Sequence, residues 1–349
     1  MNPPREEGMR FRLRLTLAAF VAIFAIPTLA VADDFYAGKT LTITVGFPPG
    51  GGFDANARLL ARYIGRYIPG NPSVIVMNTP GAGSLTAVLR LDVNLPTDGT
   101  VIDTFNFGLI GNSLLRPNEI KIDFRNYAWI GSISEDVTTC YVWHDGGPKS
   151  VAEMKAAGHW KFGAAGSGTS DDINTKILQR IFGVDLSEIF GYNGSADLRL
   201  AIERGELDGD CGTWSSIPED WLKNPKFHPL SRTSSRVPEG MDPGVPYVLD
   251  IAPNDEAKKL IRFLVADGEI GRPFVVSHAV PADRVRILRE AFASAVTDKD
   301  FLAEAKSLRL PVSPKAGEEA EKIVESLYGT PAEIIDGARK IVADNGVNR

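Results

Sequence analysis

The stretch Leu41 to Ile68, LTITVGFPPGGGFDANARLLARYIGRYI, constrains the fold more than any other part of the chain. Leu41, Ile43 and Val45 alternate with Thr42 and Thr44, and a period of two predicts a strand with one buried face. From Phe53 onward the apolar positions Phe53, Ala57, Leu60, Ala61, Ile64 and Ile68 follow the three-to-four spacing of an amphipathic helix. Strand therefore feeds helix through Pro48, Pro49, Gly50, Gly51 and Gly52. The prolines donate no hydrogen bond and the glycines carry no side chain, so the N–H groups of the first helical turn face open space. A helix N-terminus left bare in this way suits an anion.

The first residues read as a targeting segment. Arg10, Arg12 and Arg14 precede the apolar run Leu15 to Ile26, and Ala30-Val31-Ala32 offers small residues for cleavage before Asp33. Pro27 interrupts a run already short for a membrane span, which favours export over anchoring. Removing residues 1 to 32 from 349 leaves 317, room for two domains of ordinary size. The segment takes four basic and two acidic residues with it, so 34 Lys and Arg stand against 42 Asp and Glu, a net charge of −8. An acidic chain with no basic run is a poor nucleic-acid binder, and any anion must be held by oriented local groups. Two cysteines, Cys140 and Cys211, could pair in an oxidising compartment or remain two buried thiols.

The opening logic of strand, glycine turn and helix recurs. Val74 to Met77 leads through Pro80-Gly81-Ala82-Gly83-Ser84 into a helical pattern from Leu85 to Leu91, and Trp160 to Ala164 leads through GAAGSGTS, Gly163 to Ser170, into a helix through Ile173, Ile177 and Ile181. Further strands are expected over Val101 to Phe105, Trp129 to Trp143 and Phe274 to Ser277. Further helices are expected after Ser150, over Ala196 to Arg204, Glu256 to Ala266, Ala282 to Val296 and Glu318 to Leu327. Alternation of this kind predicts an α/β class with largely parallel sheets.

Several catalytic motifs fail at the decisive position. Gly163 to Ser170 has the glycine spacing of a phosphate-binding loop, but Thr169 stands where the essential Lys would be. Gly81-Ala82-Gly83-Ser84-Leu85-Thr86 lacks the third glycine of a dinucleotide fingerprint. Ser167 has Ala165 and Thr169 where a nucleophile elbow needs glycines. His144, His159, His228 and His278 are scattered, with no pair at metal-ligand spacing. Asp54, at the start of a helix, reads first as a cap. What remains is a set of glycine and hydroxyl turns at helix N-termini without a reactive group, which points to binding without chemistry in an anion-accepting cleft.

The ordered motifs resemble one family, the extracytoplasmic receptors of tripartite tricarboxylate transporters, or Bug proteins. The resemblance rests on Gly46-Phe47-Pro48-Pro49-Gly50-Gly51-Gly52-Phe53-Asp54 with Ala57-Arg58, on Asn78-Thr79-Pro80-Gly81-Ala82-Gly83, on Gly163 to Ser170, and on Gly191-Tyr192-Asn193-Gly194-Ser195-Ala196. Gly205-Glu206-Leu207-Asp208 and Val280-Pro281-Ala282-Asp283-Arg284-Val285 complete it. It implies a two-domain, type II-like periplasmic-binding fold with a ligand cleft closed by a hinge. Domain one would combine residues 33–133 and 233–349, with 134–232 inserted as domain two. The implied ligand is a small carboxylate, and the implied partner a membrane permease, with no cofactor, no metal and a monomeric chain.

Carried onto this sequence, the family's site places Phe47, Pro49, Gly50, Gly51, Asp54, Gly83 and Ser84 on one wall. Ser167, Gly168, Thr169 and Ser170 form the other, with Thr213, Trp214 and Ser215 at an edge. The same topology would set the strand of Cys140 beside the strand ending near Cys211, making the thiols neighbours. Asn193 departs from the Lys many relatives carry, and Cys211-Gly212-Thr213-Trp214 departs from a Phe-Asp-Asn run, so ligand identity does not transfer. Trp214 could stack on an aromatic acid or pack in the hinge. A ligand-presenting sensor and a secreted hydrolase are the competing classes.

Overall fold

The apolar alternation of Leu41, Ile43 and Val45 is realised in β1 (Thr40–Val45), where all three side chains are fully buried. A computed structural model describes residues 34–343, and the expected export segment lies outside the described residues. Thr44, on the other face of β1, is buried too, its hydroxyl against the Asp103 carboxylate. The strand is thus covered on both sides, as suits the interior of a sheet with helices on each face.

The first sheet continues with β2 (Ser73–Asn78), β3 (Val101–Thr104) and β4 (Tyr127–Ser132). The chain then crosses to a second sheet, formed by β5 (Thr138–Trp143), β6 (Trp160–Ala164), β7 (Leu186–Phe190), β8 (Gly209–Thr213) and β9 (Phe227–Arg232). It returns for β10 (Pro273–Ser277) and the short β11 (Lys315–Ala316). The helices are α1 (Gly52–Ile64), α2 (Leu85–Val93), α3 (Gly108–Leu115), α4 (Val151–Ala156), α5 (Ser170–Lys176), α6 (Ser195–Glu203), α7 (Glu219–Leu222), α8 (Asp255–Val265), α9 (Ala282–Thr297), α10 (Lys299–Ser307), α11 (Gly317–Tyr328) and α12 (Ala332–Val342).

Strand order is β2-β1-β3-β10-β4-β11 in the first sheet and β7-β6-β8-β5-β9 in the second. In each, an edge strand, its neighbour and the third strand run parallel, and the next two pair antiparallel. The expectation of largely parallel sheets is therefore corrected to two mixed sheets. The antiparallel strands flank the crossings between sheets: β4 leads out, β5 enters, β9 leaves and β10 returns. The sheets also repeat one plan. The path β1–loop–α1–β2–turn–α2–β3 has its counterpart in β6–loop–α5–β7–turn–α6–β8, so corresponding loops leave the carboxyl ends of corresponding strands. Open sheets of this kind bind ligands at those ends, where the chain turns to opposite faces.

Apolar clusters cover both faces of each sheet. Ile173 and Ile177 of the α5 segment pack with the first sheet's helices, although α5 belongs to the second sheet by connectivity. The chain from Asp34 onward forms one compact unit. Cys140 and Cys211 face each other across the antiparallel pair β5–β8 and form a disulfide. Among the described residues no helix is long and apolar enough to cross a membrane.

Candidate functional site

The loop after β1 is shaped by its neighbour after β2. A Cβ on Gly46 would lie 2.4 Å from the Ser84 side chain, so only glycine lets the two turns close on each other. Ser84 is fully buried and donates from its hydroxyl to the Gly46 carbonyl at 3.3 Å. Asn78 ties the same turn down, donating from Nδ2 to the Phe47 carbonyl and to Asp54 Oδ1, both at 2.9 Å. Phe47 stacks on Phe53 with ring centroids 4.9 Å apart.

Asp54 is a positioning residue in this arrangement. Its Oδ2 accepts from the Gly50 N–H and from Arg58 Nε, each at 2.9 Å, and its side chain is almost fully buried. Burial alone would raise its pKa, but the bonds from Arg58, Gly50 and Asn78 outweigh that and hold it below the ordinary carboxylate value. The carboxylate that could have repelled an anion is spent on shaping the loop.

What the loop leaves open is backbone. Gly51 is the N-cap of α1 and supplies no capping side chain. Gly50, Gly51 and Gly83 have no atom within 4 Å of the place a Cβ would occupy, so space adjoins the main chain at all three. Pro49 is exposed beside them. Behind this turn stands Arg272, which the sequence reading missed. Its Nη2 lies 3.3 Å from a Cβ built on Gly52, its guanidinium lies 4.3 Å from the Phe53 ring centroid, and it is 5 % exposed. A fixed cation behind the bare first turn of a helix adds to the positive potential of that terminus. The Gly271-Arg272-Pro273 run before an apolar strand was the available signal, and nothing in it shows where the guanidinium points.

Arg272 Nη1 pairs with Asp136 Oδ2 at 2.8 Å, and the same oxygen accepts from Thr213 Oγ1 at 3.1 Å. Asp136 lies in the connection between β4 and β5, so this buried pair links the first sheet to Thr213 at the end of β8 in the second.

The loop after β6 is built otherwise. Two of its N–H groups are occupied by carboxylates of the following helix: Ala165 donates to Asp171 Oδ2 and Gly168 to Asp172 Oδ2, both at 2.6 Å. Gly168 is turned inward, its carbonyl accepting from Asn112 of α3 at 2.5 Å, and Asn112 fills the space beside it. Thr169 closes the turn on the Gly166 carbonyl at 2.7 Å. Of the four residues placed on this wall, Gly168 and Thr169 therefore maintain the turn, Ser167 is exposed at its tip, and Ser170 is partly buried at the start of α5. Trp214 is 7 % exposed, packs toward Phe227 and donates from Nε1 to the Glu239 carbonyl at 3.0 Å. Its ring belongs to the second sheet's core, which disfavours stacking on an aromatic ligand, and Ser215 beside it is partly exposed.

Among the described residues no group of three His, Cys, Asp or Glu is placed to hold a metal ion. His159 is engaged with Asp185 and Ser187, and His228 with the His144 carbonyl.

No protein-family model matches the chain. Two curated relatives do: a UPF0065 protein in the TAR-I ttuE-ttuC' intergenic region of Agrobacterium vitis, 26% identical over 200 residues, and one in the tcbD-tcbE intergenic region of Pseudomonas sp. strain P51, 26% identical over 202 residues. Each match takes in 56% of this chain and spans 57% and 59% of those relatives respectively. Among solved structures, the periplasmic binding protein BugD superposes with a TM-score of 0.67 at 19% identity, covering 88% of this chain and 98% of BugD. MatC of Rhodopseudomonas palustris, solved with bound malate, gives 0.65 at 17% identity over 87% and 99%. A second R. palustris protein, solved with adipate, gives 0.67 at 16% over 86% and 97%. The chain thus has the α/β fold of the periplasmic solute-binding proteins. The resemblance to the Bug-type receptors read from the motifs is borne out by relatives and fold together.

Proposed function

We propose that the protein is a periplasmic receptor that captures a small carboxylate between two lobes and hands it to a membrane permease of the tripartite tricarboxylate type. The lobes are residues 33–133 with 233–349, and 134–232, and export follows cleavage after about Ala32. The observation that carries this reading is the bare first turn of α1. Gly51 lacks a capping side chain, open space adjoins Gly50, Gly51 and Gly83, and the Arg272 guanidinium stands behind. One carboxylate of the ligand sits on the N–H groups of the first turn of α1, the Gly50 N–H being held by Asp54. The second wall contributes Ser167, Ser170, Thr213 and Ser215, whose hydroxyls suit a polar far end. The fold neighbours solved with malate and adipate support a dicarboxylate of four to six carbons.

Calorimetric titration with malate and adipate tests this. Saturable binding by either, lost in Gly51→Val with the circular dichroism spectrum unchanged, is the expected outcome. Absence of heat with mono- and dicarboxylates alike, on protein stripped of ligand, would remove the reading.

A further inference from the structure

Arg272 is held rigidly, yet part of its guanidinium is unspent. Its main chain is pinned on both sides: the Arg272 N–H donates to the Ser134 carbonyl at 3.0 Å, and its carbonyl accepts from the Ile133 N–H at 3.2 Å. Gly271 makes that approach possible, since at φ +58° a Cβ there would lie 2.2 Å from the Ser134 carbonyl oxygen. The side chain is fixed as well, with Nη1 on Asp136 at 2.8 Å and the guanidinium over the Phe53 ring. Nη2 has no hydrogen-bond partner among the described residues, although the side chain is buried.

Nη2 is also the guanidinium atom nearest the helix. It lies 3.3 Å from the place of a Cβ on Gly52, against 3.8 Å for Cζ and 3.9 Å for Nε. Gly52 is the first residue of α1, and Gly51 before it offers no capping side chain. Two independent features therefore meet at one place: the N–H groups that a helix leaves unpaired, and a buried charged donor turned toward them. Both features donate, so what they lack is an acceptor, and leaving such donors unpaired costs free energy that an acceptor recovers. A carboxylate supplies two acceptor oxygens in one plane, which suits a guanidinium edge beside a row of N–H groups.

We propose that Arg272 is itself a ligand contact: one oxygen of the carboxylate accepts from the first turn of α1 and the other from Arg272 Nη2. Asp136 is the positioning residue, because its hold on Nη1 leaves Nη2 turned to the helix. This rests on the carboxylate reading and adds to it that the guanidinium bonds the ligand instead of acting through its field alone. A neutral amide brings one acceptor and no charge, so the site selects acid over amide.

The test is calorimetric titration of the full chain with malate, adipate and their neutral diamides, in the parent, Arg272→Lys and Arg272→Gln. The parent should bind at least one acid, and bind its diamide more weakly by about tenfold or more. Arg272→Lys keeps a cation for Asp136 but has no second arm, so it should fold as the parent does and bind the acid about tenfold more weakly. Arg272→Gln should lose about tenfold to a hundredfold for the acid and narrow the preference for acid over diamide. Full acid affinity in Arg272→Lys overturns the proposal, because a cation acting only through its field survives that exchange. Equal weakening of acid and diamide in both variants overturns it too, since a purely structural lesion does the same. In either case the parent still binds and the carboxylate reading stands, whereas a parent that binds neither acid removes that reading and the proposal with it.

Discussion

Gly51 has φ −85° and open space where a side chain would stand, so valine there is tolerated by the backbone and enters only the space a ligand needs. Gly50, at φ +90°, would combine blockage with strain and is the poorer test. Asp54 and Asp103 bear on pH in opposite directions. The Asp54 carboxyl titrates below its ordinary value in the folded chain, so its stabilisation is present above that ordinary value and is lost as pH falls through the folded one. Melting curves of Asp54→Asn should therefore lose less between pH 5 and pH 3 than those of the parent (~1 kcal/mol or less). Asp103, in the middle of the first sheet, is pushed up to about 7 by burial, against the opposing bonds from Thr44 and a backbone N–H, and its Oδ2 has no partner. Its folded form is favoured when protonated, so stability falls as pH rises from about 4 to about 7. Asp103→Asn should gain on the order of 2–4 kcal/mol over the parent at pH 8 and little at pH 4. A pH-independent difference between the two melting profiles would refute the assignment.

At the scale of elements, α5 and the π-helical turn that extends it, Ile177–Ile181, are fastened to the end of α12. Lys176 donates to the Val342 carbonyl at 3.2 Å and Arg180 to the Ile341 carbonyl at 2.6 Å, placing two cations at a helix C-terminus. Lys176 also pairs with the fully buried Asp172 at 2.7 Å. The two substitutions should differ for that reason. Arg180→Ala removes bonds to carbonyls that water can replace, costing about 1–2 kcal/mol. Lys176→Met strips the near partner from a buried carboxylate and should cost about 3–5 kcal/mol. Urea unfolding midpoints check both, and equal costs would show that Asp172 does not depend on Lys176. None of this was legible in the sequence. The helix α3 was missed because Leu109, Ile110, Asn112, Ser113 and Leu115 are buried around it, which erases the amphipathic period a reader looks for. By contrast α8 and α11 bury one stripe and were foreseen within a residue or two at their ends.

For the whole molecule, the disulfide and the two-sheet plan set what can move. Cys140 and Cys211 close a loop with a sequence separation of 71 within the second sheet. Replacing both with alanine should cost about 4 kcal/mol, chiefly by freeing the unfolded chain, and thermal unfolding under reducing conditions should reproduce the loss. The bond joins neighbouring strands of one sheet, so carboxylate affinity should stay the same in the double variant.

The sequence by itself determined the strand-to-helix turn at Gly46–Phe53, its repetition after β2 and β6, the class of fold and the absence of a recognisable nucleophile. These are local properties, because period, glycine and missing side chains are written within a few residues of each other. Only the tertiary structure decided which of the turns is open. Two carboxylates from the same helix fill the donors at Ala165 and Gly168, and Asn112, 56 residues away, covers the second. Gly51 caps α1 without a side-chain hydrogen bond and with open space beside it, and Arg272 arrives behind Gly52 from much later in the chain. The carboxylates on those donors are near in sequence, but Asn112 on the Gly168 carbonyl and Arg272 beside Gly52 are brought there by the folded topology, and no local pattern records that.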